Sequence, residues 1–134
     1  MYNSKIILRA MLLVGACTLL VACASNADRP TVEQILQEKG LVKGESVDRV
    51  YQFRINGWQA LDEQNLILEA GVKDQYLITL RSFCLNLEHA FSIGVTSRMS
   101  SVAKFDQIIV QEAGGGREYC NIDEIYKLTP AASE

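Results

Sequence analysis

The chain is short of the residues that most often carry metal or nucleic-acid chemistry. Its 134 residues contain 1 histidine, and 13 Lys and Arg face 16 Asp and Glu, for a formal net charge of −3. A single histidine offers no His pair for a zinc site, and the cysteines include no C-x-x-C spacing. Nucleic acids reward clustered Lys and Arg, so the acidic balance argues against a nucleic-acid partner.

A run long enough for a comfortable transmembrane helix is also missing. The apolar stretch 10–21 falls short of the roughly 20 residues that such a helix needs. Lys5 and Arg9 precede this stretch and the small Ala22 follows it, which is the layout of a secretory signal peptide. The sequence predicts a lipoprotein signal peptide over 1–22, with a plain signal peptide or a short anchor helix as the alternatives.

The four residues Leu20-Val21-Ala22-Cys23 resemble the lipobox of bacterial lipoproteins. The resemblance implies a diacylglyceryl thioether on Cys23 and an acylated α-amine, and several acyl chains hold a domain at a bilayer without a polybasic patch. Ala24 stands where Asp resembles an inner-membrane retention signal, so the expected location is the outer membrane, facing the periplasm. Cys17 is the weaker alternative lipidation site.

Removal of 22 residues from 134 leaves 112, and loss of Lys5 and Arg9 from the 13 leaves 11 basic residues against 16 acidic ones. That length suits one domain with one core. We expect a lipidated flexible tether over 23–30, a short helix and connection over 31–45, a single β-rich domain over 46–130, and a tail over 131–134.

Cys84 and Cys120 remain as an even pair in an oxidising compartment, where disulfides persist. Closing a loop of 36 residues, from 84 to 120, contributes roughly 4 kcal/mol in the chain-entropy model. The sequence therefore predicts a disulfide. Two buried free thiols are the alternative, and a metal site is weaker still.

A short helix begins the folded part. Thr31 is a fair N-cap with Gln34 three residues on, as in a capping box, and Gly40 is a plausible residue to end the helix. From residue 46 the pattern changes to the period-two alternation of strands. The predicted strands are 47–55, 65–70, 76–80, 91–95, 102–110 and 119–128, the last with a short helix as its alternative.

Turn signals separate these strands. Asn56-Gly57 is the strongest hairpin dipeptide of the chain, and Trp58 is expected to pack across that turn. Residues 82–90 fit one helical turn or an irregular crossing, and the glycine-rich 112–118 fits a flexible loop. The predicted fold is α+β and β-rich: a small antiparallel sheet or partly open barrel with a short N-terminal helix and one disulfide.

Three residues are candidates for a site of interaction. Asp106 lies among apolar residues of a predicted strand, so its carboxylate needs a partner, and Arg54, Arg81 and Arg98 are the candidates. His89 could act as a base or ligand, although a partly buried or surface histidine is the ordinary interpretation. Trp58 could contribute to an exposed apolar patch. The sequence predicts no catalytic set, no metal and no cofactor.

Four segments together resemble an uncharacterised family of small proteobacterial lipoproteins, the domain-of-unknown-function family DUF6491. They are R-I-N-G-W-Q-A-L-D-E-Q-N-L-I-L, Y-L-I-T-L-R-S-F-C-L-N-L, K-F-D-Q-I-I-V and C-N-I-D-E-I-Y-K-L. The resemblance spans roughly residues 47–128. It supports the domain boundaries and the cysteine pair and implies no activity.

These observations predict a membrane-anchored periplasmic lipoprotein that serves as a non-catalytic binding or structural module of the envelope. Its partners would be the bilayer, through acylated Cys23, and an envelope protein or small ligand. The alternatives are an inhibitor-like module against an envelope-acting enzyme and a hydrolase of envelope material. A concave pocket with a perturbed acid near His89 or Asp106 would favour an enzyme. An exposed apolar patch around Trp58 or the tyrosines would favour a protein partner.

Overall fold

The computed structural model describes residues 29–51, 55–97 and 100–132. Over these residues the chain forms one short helix and nine strands. They are α1 (Val32–Glu38), β1 (Leu41–Ser46), β2 (Arg49–Tyr51), β3 (Ile55–Ala60), β4 (Asn65–Ala70), β5 (Asp74–Leu80), β6 (Ser92–Val95), β7 (Ser101–Ala103), β8 (Gln107–Gln111) and β9 (Arg117–Pro130).

Seven of these strands form one antiparallel, nearly closed sheet. Its order is β3-β4-β5-β9-β8-β6, and β1 is added on β9. At 14 residues β9 is long enough to pair with three neighbours. It pairs with β5 along one edge, and with β8 and then β1 along the other. The remaining strands, β2 and β7, form a separate two-stranded ribbon.

The inner face of the sheet carries the main core. Tyr76, Ile78 and Leu80 alternate along β5 and are all buried, as the period-two pattern predicts. β4, β8 and β9 add further buried residues to this core, as do Val50, Cys84, Leu87 and Val102. The members from these three strands are Leu66, Leu68, Ala70, Ile108, Val110, Cys120, Ile122 and Ile125.

A second, smaller core lies on the outer face of the same sheet. Leu36 of α1 is buried there with Ile67, Leu77 and Leu128. The three strand residues alternate with inner-core residues and so point to the opposite face. Because α1 covers this side, β4 and β5 are buried on both faces here, which explains their unbroken apolar runs.

The helix begins and ends as the sequence predicts. Thr31 Oγ1 accepts from the Gln34 backbone N–H at 3.3 Å, and Gln34 Oε1 accepts from the Thr31 N–H at 2.8 Å, which completes a capping box. Gly40 follows the C-cap with φ +68°, a left-handed conformation that glycine adopts without steric cost. The chain then turns directly into β1.

The predicted fold class is confirmed. The structure is β-rich and antiparallel with one short helix, and a disulfide joins Cys84 to Cys120 with a Cα–Cα distance of 5.9 Å. The segment 119–128 belongs to strand β9 rather than to a helix, and 82–90 is irregular. The glycine-rich segment forms the turn between β8 and β9.

The predicted turn at Asn56-Gly57 is wrong. Both residues lie inside β3, where the register against β4 shifts between Ile55 and Gly57. Such a bulge accepts the same small or polar residues as a hairpin turn, because both need irregular backbone. Asn56 Nδ2 donates to the Gly71 carbonyl. Trp58 therefore lies on a strand opposite Leu68, and not across a turn.

Three features of the strands also differ from the prediction. β1 occupies 41–46, where the sequence predicts only a connection, and β2 is a separate strand of three residues. Most side chains of β1 are exposed, so the strand lacks the apolar alternation that would reveal it. The predicted strand 102–110 is two strands, β7 and β8, joined by the turn Ala103–Asp106.

Some predictions concern residues outside the described ranges. They are the signal peptide, the alternative site Cys17, the lipidation site Cys23 with most of the tether, the last two residues of the tail, and Arg54 and Arg98 as partners of Asp106.

Candidate functional site

The outer face of the sheet is exposed on the side of β6, β8 and β9, away from α1. In register, Gly94 lies opposite Ile109, and Ile109 lies opposite Tyr119. Beside this apolar row, Gln107 Nε2 donates to Asn121 Oδ1 at 3.1 Å. The Tyr119 side chain is 53% exposed. We call this surface, formed by Gly94, Gln107, Ile109, Tyr119 and Asn121, the bare face.

The turn Ala103–Asp106 borders the bare face and holds an unusual residue. Phe105 has φ +71°, and among the described residues it is the only non-glycine residue with positive φ. The third position of such a turn, when φ is positive, normally takes Gly or Asn. For other residues this conformation costs about 1–2 kcal/mol. The Phe105 side chain is 71% exposed, so core packing does not explain its presence there.

Hydrogen bonds on both sides hold this turn in place. Asp106 Oδ2 accepts from the Ala103 N–H at 2.8 Å, and the Asp106 N–H donates to the Ala103 carbonyl at 3.1 Å. On the other side, the Phe105 N–H donates to Ile122 O at 3.2 Å, and the Ile122 N–H donates to Asp106 O at 2.9 Å. The strained conformation is therefore fixed by the surrounding backbone.

Lys104 fixes the same turn electrostatically. Its ammonium lies 2.8 Å from Glu124 Oε2 and 3.4 Å from Asp48 Oδ1, and it donates to Ser46 Oγ at 3.0 Å. The hydrogen bond to Glu124 raises the pKa of Lys104 above its ordinary value. The same bond, with a second from Ser46, lowers the pKa of Glu124. Both groups are therefore charged across the neutral range.

A cation lies against the exposed ring. The Arg81 guanidinium carbon is 5.4 Å from the Phe105 ring centroid, and Arg81 Nε is 3.7 Å from Asp123 Oδ1. The ring and guanidinium are within cation–π distance. The tip of the turn thus presents an aromatic ring flanked by a half-exposed ion pair.

The disulfide lies beneath the bare face, at one end of the nearly closed sheet, which we call the barrel. Glu118 holds the chain after Cys84, because its carboxylate oxygens accept from the Leu85 N–H at 3.2 Å and the Asn86 N–H at 3.0 Å. Ligand atoms of Cys84, Glu118 and Cys120 lie within 4.8 Å of one another. Thiolates are the cysteine form that binds metals, and these sulfurs are bonded to each other, so this cluster is structural.

The three interaction candidates from the sequence lie apart in distinct settings. Trp58 lies on β3, partly buried against the main core. Asp106 is half-buried in the turn, where its carboxylate accepts from the Ala103 backbone N–H. Of its three predicted arginine partners, only Arg81 lies within the described residues. His89 is exposed in the irregular segment that follows Cys84, and its backbone N–H donates to the Asn86 carbonyl at 3.2 Å. The ion pair of Arg81 is with Asp123.

A cavity of about 240 Å³ lies where β2, β3, β4, β6 and β7 approach each other. Buried Val50, Leu68 and Val102 line it together with Ser100 and Ser101. His89 and Asp106 are not among its lining residues, so the cavity does not match the pocket that would favour an enzyme.

The sequence alone does not indicate that Tyr119, Phe105 and Arg81 lie close together. Tyr119 had a usable signal, since it alternates with buried Cys120 and must therefore face outward. Phe105 had no such signal, because the apolar segment around it suggests a continuous strand. Arg81 and Phe105 are 24 residues apart in sequence and meet only across β9.

Within the described ranges, no helix has both the length and the apolar character needed to span a bilayer. The family model described as "Family of unknown function (DUF6491)" matches residues 5–134. Neither the curated proteins nor the solved structures contain a match to the chain.

Proposed function

The chain belongs to the DUF6491 family, whose function is unknown, and we propose that it is a membrane-anchored, non-catalytic protein-binding module of the cell envelope. The anchor is acylated Cys23, and the domain faces the periplasm from the outer membrane. The sequence features that support this location are the short apolar segment, the lipobox-like Leu20–Cys23 and Ala24. The binding surface is the bare face together with the Phe105 turn.

The observation that carries this proposal is the conformation of Phe105. A large apolar side chain occupies a left-handed turn position at a conformational cost and remains mostly exposed. Backbone strain of this kind persists where the surroundings over-determine it, and it clusters at functional sites. A glycine here would avoid the strain, and an exposed cation–π contact such as that with Arg81 returns only about 0.5–1 kcal/mol. A contact outside this chain therefore best explains the ring.

The bare face supplies a second contact region next to this ring. Ile109 follows Phe105 by four residues, so the chain holds the two within about 14 Å of each other. Tyr119 lies directly across from Ile109, and the Gln107–Asn121 amide pair lies between the two apolar regions. Aromatic anchors with polar residues around them are typical of protein-binding surfaces. The partner is therefore expected to be a folded protein with an apolar cleft for the Phe105 ring.

The roles of Asp106 and His89 favour binding over catalysis. The Asp106 carboxylate caps the turn through Ala103, and His89 is exposed near the disulfide. Catalysis needs an acid or base within hydrogen-bond reach of a bound substrate. The cavity between the strands is lined by neither residue.

Lysine-reactive crosslinking in cells tests the proposal. The anchored wild-type protein is compared with Phe105→Ala and with the matched control Val72→Ala, which removes a 94% exposed side chain from the β4–β5 turn. We expect one reproducible protein adduct that Phe105→Ala loses and Val72→Ala keeps. An adduct that survives Phe105→Ala unchanged would contradict the assignment of this surface.

A further inference from the structure

The irregular segment 81–91, between β5 and β6, presents a second set of exposed apolar side chains. Phe83, Leu85 and Phe91 are 67–75% exposed. We call these three residues the apolar loop tips. Connecting segments usually present polar residues to solvent, and three large apolar groups within nine residues point to an environment other than water.

This segment is fixed to the barrel. The disulfide secures Cys84, the Cys84 N–H donates to Glu63 O at 2.7 Å, and Leu87 is fully buried. At its end the Phe91 N–H donates to Gln111 O at 2.8 Å. Buried residues therefore alternate with the exposed tips, and the tips are displayed on a rigid base.

The apolar loop tips share one end of the barrel. Leu85 is attached through its N–H to Glu118, and Phe91 is attached to Gln111. Glu118 and Gln111 lie one residue out of register on the neighbouring strands β9 and β8, which are about 4.8 Å apart. The attachment points of Leu85 and Phe91 are thus adjacent.

We propose that the apolar loop tips enter the headgroup region of the bilayer that holds the anchor, so that this end of the barrel faces the membrane. The proposal rests on the anchoring at Cys23 in the proposed function. The five residues 24–28 between that cysteine and the described domain span at most about 18 Å. The tether keeps the domain next to the lipid, and at that effective concentration three apolar side chains suffice for contact.

The charges at this end specify the kind of lipid. Three carboxylates lie here, since Glu88 is exposed and Glu112 and Glu118 accept hydrogen bonds from Asn86. They outnumber Arg117, which lies opposite Gln111, while Arg81 is paired with Asp123. Anionic lipids attract Lys and Arg rather than carboxylates. The lipid contact is therefore apolar insertion between zwitterionic headgroups, and it requires neither anionic lipid nor low salt.

Tryptophan fluorescence in vesicles tests this orientation. The mature chain is reconstituted in phosphatidylethanolamine–phosphatidylcholine vesicles whose acyl chains are brominated, so that bromine quenches only tryptophan close to the lipid. The chain has 1 Trp, so Trp58→Phe serves as the background. Phe91→Trp reports on the apolar loop tips. Val72→Trp is the matched control, because Val72 lies at the opposite end of β5 from the loop. The seven residues of β5 separate the two ends of the strand by about 23 Å.

We expect Phe91→Trp to lose roughly half of its emission, since interfacial side chains lie about 5–10 Å into the headgroup boundary. The emission of Val72→Trp should be the same in brominated and in unbrominated vesicles. Equal emission of Phe91→Trp in both kinds of vesicle, or quenching of Val72→Trp alone, would overturn the proposed orientation. Leu85→Trp, at a second loop tip, repeats the test if Phe91→Trp folds poorly.

Flotation of the same vesicles separates the two proposals. If the wild-type chain floats and Phe91→Trp is not quenched, the anchor holds and the loop proposal is wrong. If the wild-type chain does not float, the anchor fails and the loop proposal falls with it. A protein adduct from a photo-crosslinker at Phe91, in place of lipid quenching, would assign the tips to a protein and also overturn the proposal.

Discussion

The outer face of the sheet is built differently on its two sides. On the side of β4 and β5, Leu36 of α1 buries Ile67 and Leu77 almost completely. The other side, which we call the bare side, carries the bare face and the Phe105 turn. There Tyr119 of β9 stands 53% exposed next to Ile109 of β8, and Phe105 projects from a strained turn. The first side is a core in which Leu36, Ile67 and Leu77 pack against one another. The second has apolar residues that the fold itself does not require.

The two sides are also stabilised in different ways. Packing of α1 holds the covered side, whereas the bare side is held by the disulfide, the turn around Asp106 and the Lys104–Glu124 pair. Covalent and polar supports leave an outer surface free, and a packed helix does not. The proposed binding surface on the bare side rests on this difference.

Loss of the disulfide is expected to have the largest effect. The double substitution Cys84→Ser with Cys120→Ser should destabilise the domain by about 4 kcal/mol, since it releases a closed loop of 36 residues. Denaturant unfolding measures the loss, and hydrogen exchange should show it first in 81–91 and β8. An unchanged midpoint, or exchange that rises first under α1, would contradict the division between the two sides.

The next largest effect should come from the covered side. Leu36→Ala is expected to cost about 2–3 kcal/mol, because it opens a cavity between α1 and the sheet that the short helix can partly close. Ile109→Ala on the bare face is the matched control and should cost less than about 1.5 kcal/mol, as its side chain is only partly buried. Similar losses of unfolding free energy for the two variants would remove the distinction between a packed and an open side.

Phe105→Gly should have a smaller effect, in the opposite direction. Glycine removes the left-handed strain, so this variant should be about 1–2 kcal/mol more stable than Phe105→Ala, which keeps the strain and also lacks the ring. It should be at least as stable as the wild type. Thermal unfolding of the three proteins gives the result. A clear loss of stability in Phe105→Gly would show that the ring serves the fold.

The smallest effect concerns pH. Because Lys104 lowers the pKa of Glu124 below its ordinary 4.5, the pair stabilises the fold above that value and loses its contribution as the pH falls through the lowered pKa. Lys104 has a raised pKa and remains charged through this range. The Tm difference between wild type and Glu124→Gln should be constant near neutrality and shrink in acid. A difference that grows below pH 4.5 would contradict the pairing.

Local sequence signals predict a large part of the fold. The cap at Thr31, the helix end at Gly40 and the alternation of β5 depend on contacts within a few residues, and each is confirmed. The Cys84–Cys120 bridge is predicted from cysteine count and compartment alone and is also confirmed. These features need no knowledge of how distant segments meet.

The rest depends on long-range contacts that leave no local pattern. β1 has mostly exposed side chains and is a strand only because β9 extends far enough to pair with it. Asn56-Gly57 suits a turn or a bulge equally, and pairing with β4 decides between them. The environment of Phe105 comes from Arg81 and Ile122, which are distant in sequence, so a strand through Phe105 was the simpler prediction.

Site-specific photo-crosslinking in cells tests most directly whether the bare side, and not the covered side, contacts a partner. Benzoylphenylalanine in place of Phe105 or Tyr119 probes the bare side, and the same group in place of exposed Gln37 probes the outer surface of α1. The predicted result is one discrete protein adduct shared by positions 105 and 119 and absent from 37. The same adducts at all three positions, or an adduct from 37 alone, would contradict the assignment of the bare face as the binding surface.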